Sequence, residues 1–438
     1  MKLTLNDSTK TVARRRKQLN MASVRQQAHT FESIQPYMKK LTRQYPQAGA
    51  KRLRDWLAQK QIFVSDRHLI RKYNHHFHAE AVKRRKGKRL KRKRFWSAGV
   101  FETVAVDQHD KWKRFGLYLH LGMETFSGAL LWVEPWWTNS NPRLICSYYL
   151  RMARTHGGVP LLTQSDPGSE NNGIANAQTT IRQRLDPSLT GLLQHRWMRG
   201  HSNIKPEIKW SQLRREFTEA YEALFDLGLL NGWYDRWDSL QYNIFRWLAI
   251  PFLKRNLDEY IRMHNTSKPR ADKTKVLPLG RPEHILYHPE RFDNARDFKV
   301  LATEEDFSYV EELYAPPDHP VFNLVPRDFG CEIERYYHAL GEPEVTIDSF
   351  WNIYHHLLND LQESPFREEI LETLASEVER EMTIAGEHMD LLEGMAEQED
   401  SDTSGCDTSG WSSGDDDWQE EEEGGGLMRE VEDLSHGL

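Results

Sequence analysis

A chain of 438 residues is longer than one ordinary domain, so two or three folded units with tails are expected. Its 38% hydrophobic and 11% aromatic content supports a compact middle, and three scattered cysteines, Cys146, Cys331 and Cys406, exclude a disulfide framework or a thiolate zinc site. No apolar run approaches the roughly 18–20 residues of a membrane span and no secretory-type stretch opens the chain, so a soluble protein of a reducing, intracellular compartment with no membrane partner is expected.

The formal net charge of −6 hides a strong polarity. Residues 1–100 carry 27 Lys/Arg against five Asp/Glu, whereas residues 397–438 carry 15 acids and one Arg. The basic end predicts a polyanion partner.

Residues 1–30 are polar, with Arg14 to Lys17 basic, and read as a flexible basic arm. From Phe31 the apolar spacing becomes helical: Ile34, Met38 and Leu41, then Leu53, Trp56 and Leu57, then Leu69, Ile70 and Tyr73 after Ser65 as N-cap. Three short helices over 31–80, the last of them basic, have the layout of an all-α helix-turn-helix domain suited to a DNA groove, with Arg67, Arg71 and Lys72 as contacts. Such bundles also serve as protein-interaction modules. His68, His75, His76 and His78 read as surface residues of that basic helix, not as metal ligands.

Residues 81–98 form a basic linker. Its centre, Lys83 to Arg94, has ten basic residues in twelve: Lys83, Arg84, Arg85, Lys86, Lys88, Arg89, Lys91, Arg92, Lys93 and Arg94. The run cannot make a core and would neutralise phosphates whatever the base sequence. A nuclear-localisation signal is the plainer reading, and the two are compatible.

Near Val100 the aromatic-rich middle begins. TVAVD, LYLHLGM and ALLWVEP read as strands, residues 141–156 as a helix, VPLLTQSD as a strand, 171–184 as a helix and HRWM as a short strand. A long amphipathic helix follows from about Pro206 through Ile208, Leu213, Phe217, Tyr221 and Leu224. Strands first, then strands alternating with helices, predict a mixed α/β sheet covered by helices. Residues 271–396, with Pro-rich stretches and helical pieces such as TIDSFWNIYHHLLNDL, have no role that the sequence reveals. Residues 397–438 read as a disordered acidic tail.

Two acids close strands, Asp107 in AVDQHDKW and Asp166 in TQSDPGSENNG. Carboxylates converging from strand ends can share a cation, and with a third on the long helix they supply the hard oxygen ligands that two-metal phosphoryl transfer requires.

The segments VDQHDKW, LGMETFSGALLWVEP, QSDPGSEN and SNIKPEIKWSQLRREF together resemble the integrase core of retroviral-type integrases and related transposases, including eukaryotic transposon-derived proteins. The resemblance covers roughly residues 31–265 and the core is assigned to 99–270. It implies a ribonuclease-H-like core, a mixed five-stranded sheet flanked by helices, in which the D,D,E triad falls on Asp107, Asp166 and Glu207 and holds two Mg²⁺ or Mn²⁺ ions. Asp166 with Gly168, Glu170 and Asn171 reproduces the D-x-G-x-E-N pattern. Glu207 stands in register with the Glu of an N-x-R-I-E-x-x-W helix start, although forty residues part it from Asp166 and Pro206 precedes it. An acid favoured by the helix dipole is the plain alternative for Glu207, and Glu216 and Glu219 are weaker substitutes. DEYIRMHNTSKPR, Asp258 to Arg270, resembles the helix and basic turn that close the integrase core.

His201, Asn203 and Lys205, before that helix, could touch DNA phosphate or orient the substrate but read more plainly as surface residues, and Asp110 reads as a solvated loop acid. The zinc module and the basic SH3-like barrel of retroviral integrases have no counterpart in the sequence. The resemblance implies metal-dependent cleavage and strand transfer on DNA in the nucleus, without a small-molecule cofactor and compatible with a homo-oligomer. An inactive, domesticated DNA- or chromatin-binding protein is the alternative, and the fold also serves nucleases acting on RNA or RNA–DNA hybrids.

Overall fold

The computed structural model describes residues 9–19, 21, 27–64, 67–84, 95–199, 203–269 and 276–395. Within the stretch read as a flexible arm, Thr9–Gln18 forms helix α1, which the run of good helix formers Ala13 to Gln18 accounts for. Three helices follow as expected, α2 (Phe31–Gln44), α3 (Ala50–Gln59) and α4 (Arg67–Phe77). Thr30 starts α2 with a capping box to Ser33. The expected apolar stripe, Ile34, Met38, Leu41, Leu53, Trp56, Leu57, Ile70 and Tyr73, is buried, while Leu69 packs at its margin. The proposed N-cap Ser65 lies outside the described residues. Helix α5 (Ala79–Arg84) extends into what reads as linker.

The central sheet has five strands in the order β4-β3-β2-β6-β7. Here β2 is Thr103–His109, β3 Tyr118–Glu124, β4 Leu130–Trp136, β6 Leu162–Ser165 and β7 His195–Trp197. The first three make an antiparallel meander, and β6 and β7 run parallel to β2. Val104, Ala105 and Val106 are all buried, as a central strand covered on both faces demands. Between β4 and β6 lies α6 (Pro142–His156), opened by Asn141, whose side chain accepts from the Arg143 and Leu144 amides, and closed by Gly157 at φ 65°. Helix α7 (Asn172–Leu185) links β6 to β7.

VPLLTQSD is not one strand. Pro160 lacks an amide donor, and Gly158–Val159 pairs as β5 with β9 (Val300–Leu301), apart from the main sheet. Similarly, β1 (Gly99–Val100) pairs with β8 (Arg296–Asp297).

The long helix consists of α8 (Ile204–Leu213), a π-helical turn at Arg214–Thr218, and α9 (Glu219–Leu230). Helix α10 (Ser239–Thr266) then crosses beside β4. Helices α11 (Pro282–Tyr287), α12 (Glu304–Tyr314), α13 (Arg327–Ala339), α14 (Phe350–Gln362) and α15 (Arg367–Ala385) complete the described chain. One continuous apolar cluster runs from Ile34 to Leu374, so residues 276–395 belong to the same core as the sheet. Polar ties reinforce it: the indoles of Trp136, Trp137 and Trp351 donate to the carbonyls of Val321, Asn323 and Leu224. Among the described residues no helix is long and apolar enough to cross a membrane.

Candidate active site

The parallel pairing of β2 with β6 sets Val104 against Thr163 and Ala105 against Gln164. Carried two residues further, the same register puts Asp107 beside Asp166. The ladder itself ends at Ala105 and Gln164, and the nearness of the two acids shows in the Asp166 charge acting on the Asp107 carboxyl. Asp107 is two residues from the end of β2, not its last residue, while Asp166 immediately follows β6.

Glu207 lies in the first turn of α8. Asn203, expected at the surface, is fully buried. Its amide donates to Val106 O at 2.9 Å and accepts from Gln164 Nε2 at 3.2 Å, satisfying groups that a loop crossing two strands would otherwise strand. One turn beyond Glu207, Trp210 Nε1 donates to Asp107 Oδ2 at 2.9 Å, and its ring stacks on His109 at 4.7 Å between centroids. Asn203, Glu207 and Trp210 are spaced −4, 0 and +3, one helix face. Asn203 and Trp210 thus flank Glu207 and fasten its helix to β2.

Burial pushes the Asp107 carboxyl up to about 7, and the Asp166 charge adds to the rise, with a smaller contribution from Glu207; the Gln108 amide and the Trp210 indole oppose it. The charges of Asp166 and Glu207 thus both act on Asp107. Among the described residues no three His, Cys, Asp or Glu side chains are grouped closely enough to hold a metal ion as they stand.

The loop after Asp166 is tightly tied. Asn171 donates to Asp166 O and to Glu170 Oε1, both at 3.2 Å, and accepts from Gln108 Nε2 at 3.1 Å. A Cβ on Gly168 would stand 2.1 Å from Glu170 Oε1, so glycine is what lets Glu170 fold back here. Burial raises the Glu170 carboxyl above its ordinary value, and the charge of Asp110 adds to it. Asp110 itself is exposed, as expected, and accepts from Asn139 Nδ2 at 2.7 Å. On the other face of β6, His195 bridges Thr163 Oγ1 at 2.8 Å and Ser165 Oγ at 3.0 Å, and burial pushes its pKa down to about 3.

Glu216 and Glu219 turn away from this site. Glu216 accepts from Arg52 Nη2 at 2.7 Å and from the Tyr260 hydroxyl at 3.0 Å, and Glu219 accepts from Gln47 Nε2 at 3.3 Å. Of the expected DNA contacts, Arg71 is half-buried and Lys72 exposed on α4. Arg67 opens α4, and Lys83 and Arg84 end α5, with side chains outside the described set. Arg85, Lys86, Lys88, Arg89, Lys91, Arg92, Lys93 and Arg94 lie outside the described residues, as does His201. His68, His75 and His76 are exposed and His78 half-buried on or beside α4. Lys205 is half-buried, its Nζ 4.4 Å from the Phe95 ring centroid.

Asn203 and Trp210 stand at the Asn and Trp of the N-x-R-I-E-x-x-W helix start, but that pattern carries no sign of their ties to Val106 and Asp107. No protein-family model matches the chain, and no curated protein matches it.

Proposed function

We propose that the chain is an integrase- or transposase-like DNA-binding protein with a ribonuclease-H-like core, whose Asp107, Asp166 and Glu207 serve metal-dependent phosphodiester cleavage and strand transfer in the nucleus. The observation that carries this reading is an arrangement: Asp107 on central strand β2, Asp166 directly after the adjacent parallel strand β6, and Glu207 in the first turn of a helix tied to β2 through Trp210 Nε1 and Asp107 Oδ2. Like charges concentrated in a half-buried site are what a bound cation relieves, and positions of this kind favour function over structure. The antiparallel meander followed by two parallel strands, with acids on adjacent strands and a helix, suits a ribonuclease-H-like core.

Drawn together, these three side chains would offer hard oxygen donors and no thiolate, the chemistry that suits Mg²⁺ or Mn²⁺. Bound there, such ions would activate a water or 3′-hydroxyl and stabilise the leaving oxygen. The chain's own residues orient the ligands: Trp210 fixes one oxygen of Asp107, Asn171 fixes the Asp166 carbonyl, and Asn203 sets the start of the Glu207 helix.

The indole bond to Asp107 Oδ2 also favours a second reading, in which the fold binds DNA without catalysis, because that oxygen is already engaged. Incubating the protein with Mg²⁺ or Mn²⁺ and DNA of varied end structure separates the two. Nicking or joining that Asp107→Asn and Asp166→Asn each abolish supports the enzyme. Retained, salt-sensitive DNA binding with no cleavage or joining on any end sinks it in favour of the binding protein.

A further inference from the structure

We infer that Trp210 is a gate on the carboxylate site: its indole holds Asp107 Oδ2 as the side chains stand, and yields that oxygen to a divalent cation. The inference rests on the reading of Asp107, Asp166 and Glu207 as cation ligands. Asp107 and His109 are two residues apart on β2, so they share a face of the sheet. Trp210 reaches both from α8. Its Nε1 donates to Asp107 Oδ2 at 2.9 Å, and its ring lies nearly parallel to the His109 imidazole, at 18° and 4.7 Å between centroids. Trp210 is 7% exposed and His109 9%, so little water reaches the pair.

Two features make this contact a gate. The first is where it falls. Trp210 stands three residues past Glu207, so the indole occupies the junction between Asp107 and the helix that bears the third acid. Among the described residues no three His, Cys, Asp or Glu side chains are grouped closely enough to hold a cation as they stand, so the three acids must draw together, while the indole bond keeps Asp107 where it is. The second is what it occupies. Two ions shared by one carboxylate take both of its oxygens, and an octahedral Mg²⁺ carries waters that need room beside the oxygen it binds. A buried ring bonded to Oδ2 fills that room. The stack on His109 does not depend on the bond: a hydrogen bond weakens steeply with angle, whereas offset rings stay in contact over a range of geometries. Trp210 can therefore tilt away from Oδ2 and keep its seat on His109.

The test follows Mg²⁺ binding to the full chain without DNA, by calorimetry and through the indole Nε1–H NMR signals, of which the Trp210 signal is the one missing from Trp210→Phe. In wild type, saturating Mg²⁺ should move that signal upfield as the bond to the carboxylate is lost. Trp210→Phe keeps an aromatic ring against His109 and removes the donor, so it should bind Mg²⁺ about tenfold tighter, the worth of a hydrogen bond to a charged acceptor that no longer has to be broken. A Trp210 signal that stays in place at saturation, or equal or weaker Mg²⁺ affinity in Trp210→Phe, overturns the gate and leaves the indole as a fixed brace of a cation site that stands. A wild-type chain that binds no Mg²⁺ defeats the cation reading itself, and the gate with it.

Discussion

Asp107 shows how a residue useful to chemistry costs stability. Its carboxyl is raised from 3.8 in the unfolded reference to about 7 by burial and by the Asp166 and Glu207 charges. Below pH 4 both states hold the proton and the shift costs nothing. Between pH 4 and 7 the unfolded chain ionises while the folded one does not, so the penalty grows, and above pH 7 it is complete. Asp107→Asn should therefore stabilise the metal-free protein at pH 8, by about 1–3 kcal/mol, and have little effect at pH 4. Thermal melts at the two pH values check this, and equal shifts at both would refute it. Added Mg²⁺ should raise the wild-type melting temperature at pH 8 but not that of Asp107→Asn, because only a ligand that binds the folded state shifts the equilibrium. The settings of Asp107 and Asp166 were legible because each closes a stretch that reads as a strand, within a distinctive local pattern. Asn203 was not, since an amide in a polar stretch before a helix reads as surface, and its burial depends on two strands that lie 39 and 97 residues away in sequence.

At the scale of elements, the helix carrying Glu207 is fastened at both ends. Near its start Asn203 and Trp210 hold it to β2; farther on, the π turn at Arg214–Thr218 docks onto the N-terminal helices through the Arg52–Glu216 pair, whose side chains are each only 16% exposed. A wider turn inserts one residue into the helical ladder and is invisible to a 3.6-residue period, which is why the sequence reads as one uninterrupted helix. The two sides of this turn serve different neighbours: Trp210, three residues past Glu207, reaches Asp107 on β2, whereas Glu216 faces Arg52 and Tyr260. Glu207→Gln should abolish metal-dependent cleavage with little loss of stability. Glu216→Gln should lower stability by about 1–3 kcal/mol, since it weakens a partly buried charged pair, and leave cleavage at permissive temperature. Paired activity assays and melts decide it, and the reverse pattern would move the third ligand to Glu216.

For the whole molecule, the sequence suggested a core followed by a region without a role, but the two share one interior. Periodicity found α14 through its apolar stripe, yet could not show that Trp351 inserts against α9 or that buried Arg246 pairs with Glu381, because such contacts join positions more than a hundred residues apart. Past α15 the chain is clamped along α6 and α7: Asn141 donates to Glu387 Oε2, Asn172 to Met389 O and Asn176 to Asp390 O, and the Leu392 amide donates to Asn176 Oδ1. Truncation after Ala385 should therefore lower the melting temperature by several degrees, whereas truncation after Met395 should leave it unchanged.

Charge polarity gives the last expectation at this scale. Residues 397–438 carry 15 acids and one Arg, so their removal turns a chain of net charge −6 into a positively charged one while leaving every described contact in place. The long-range repulsion between that segment and DNA should vanish with it, and with it any competition the segment offers for the basic run at Lys83 to Arg94. Affinity for duplex DNA should then rise several-fold at about 50 mM salt. The gain should fade as the Debye length shrinks towards a few ångströms near 1 M. Deleting Lys83 to Arg94 instead should flatten the slope of log affinity against log salt, because fewer counterions are released per complex. Titrations of both deletions across salt concentration check the pair: if removing the acidic segment changes affinity equally at all salt concentrations, its effect is not electrostatic, and an unchanged slope in the second deletion would place the phosphate contacts elsewhere on the molecule.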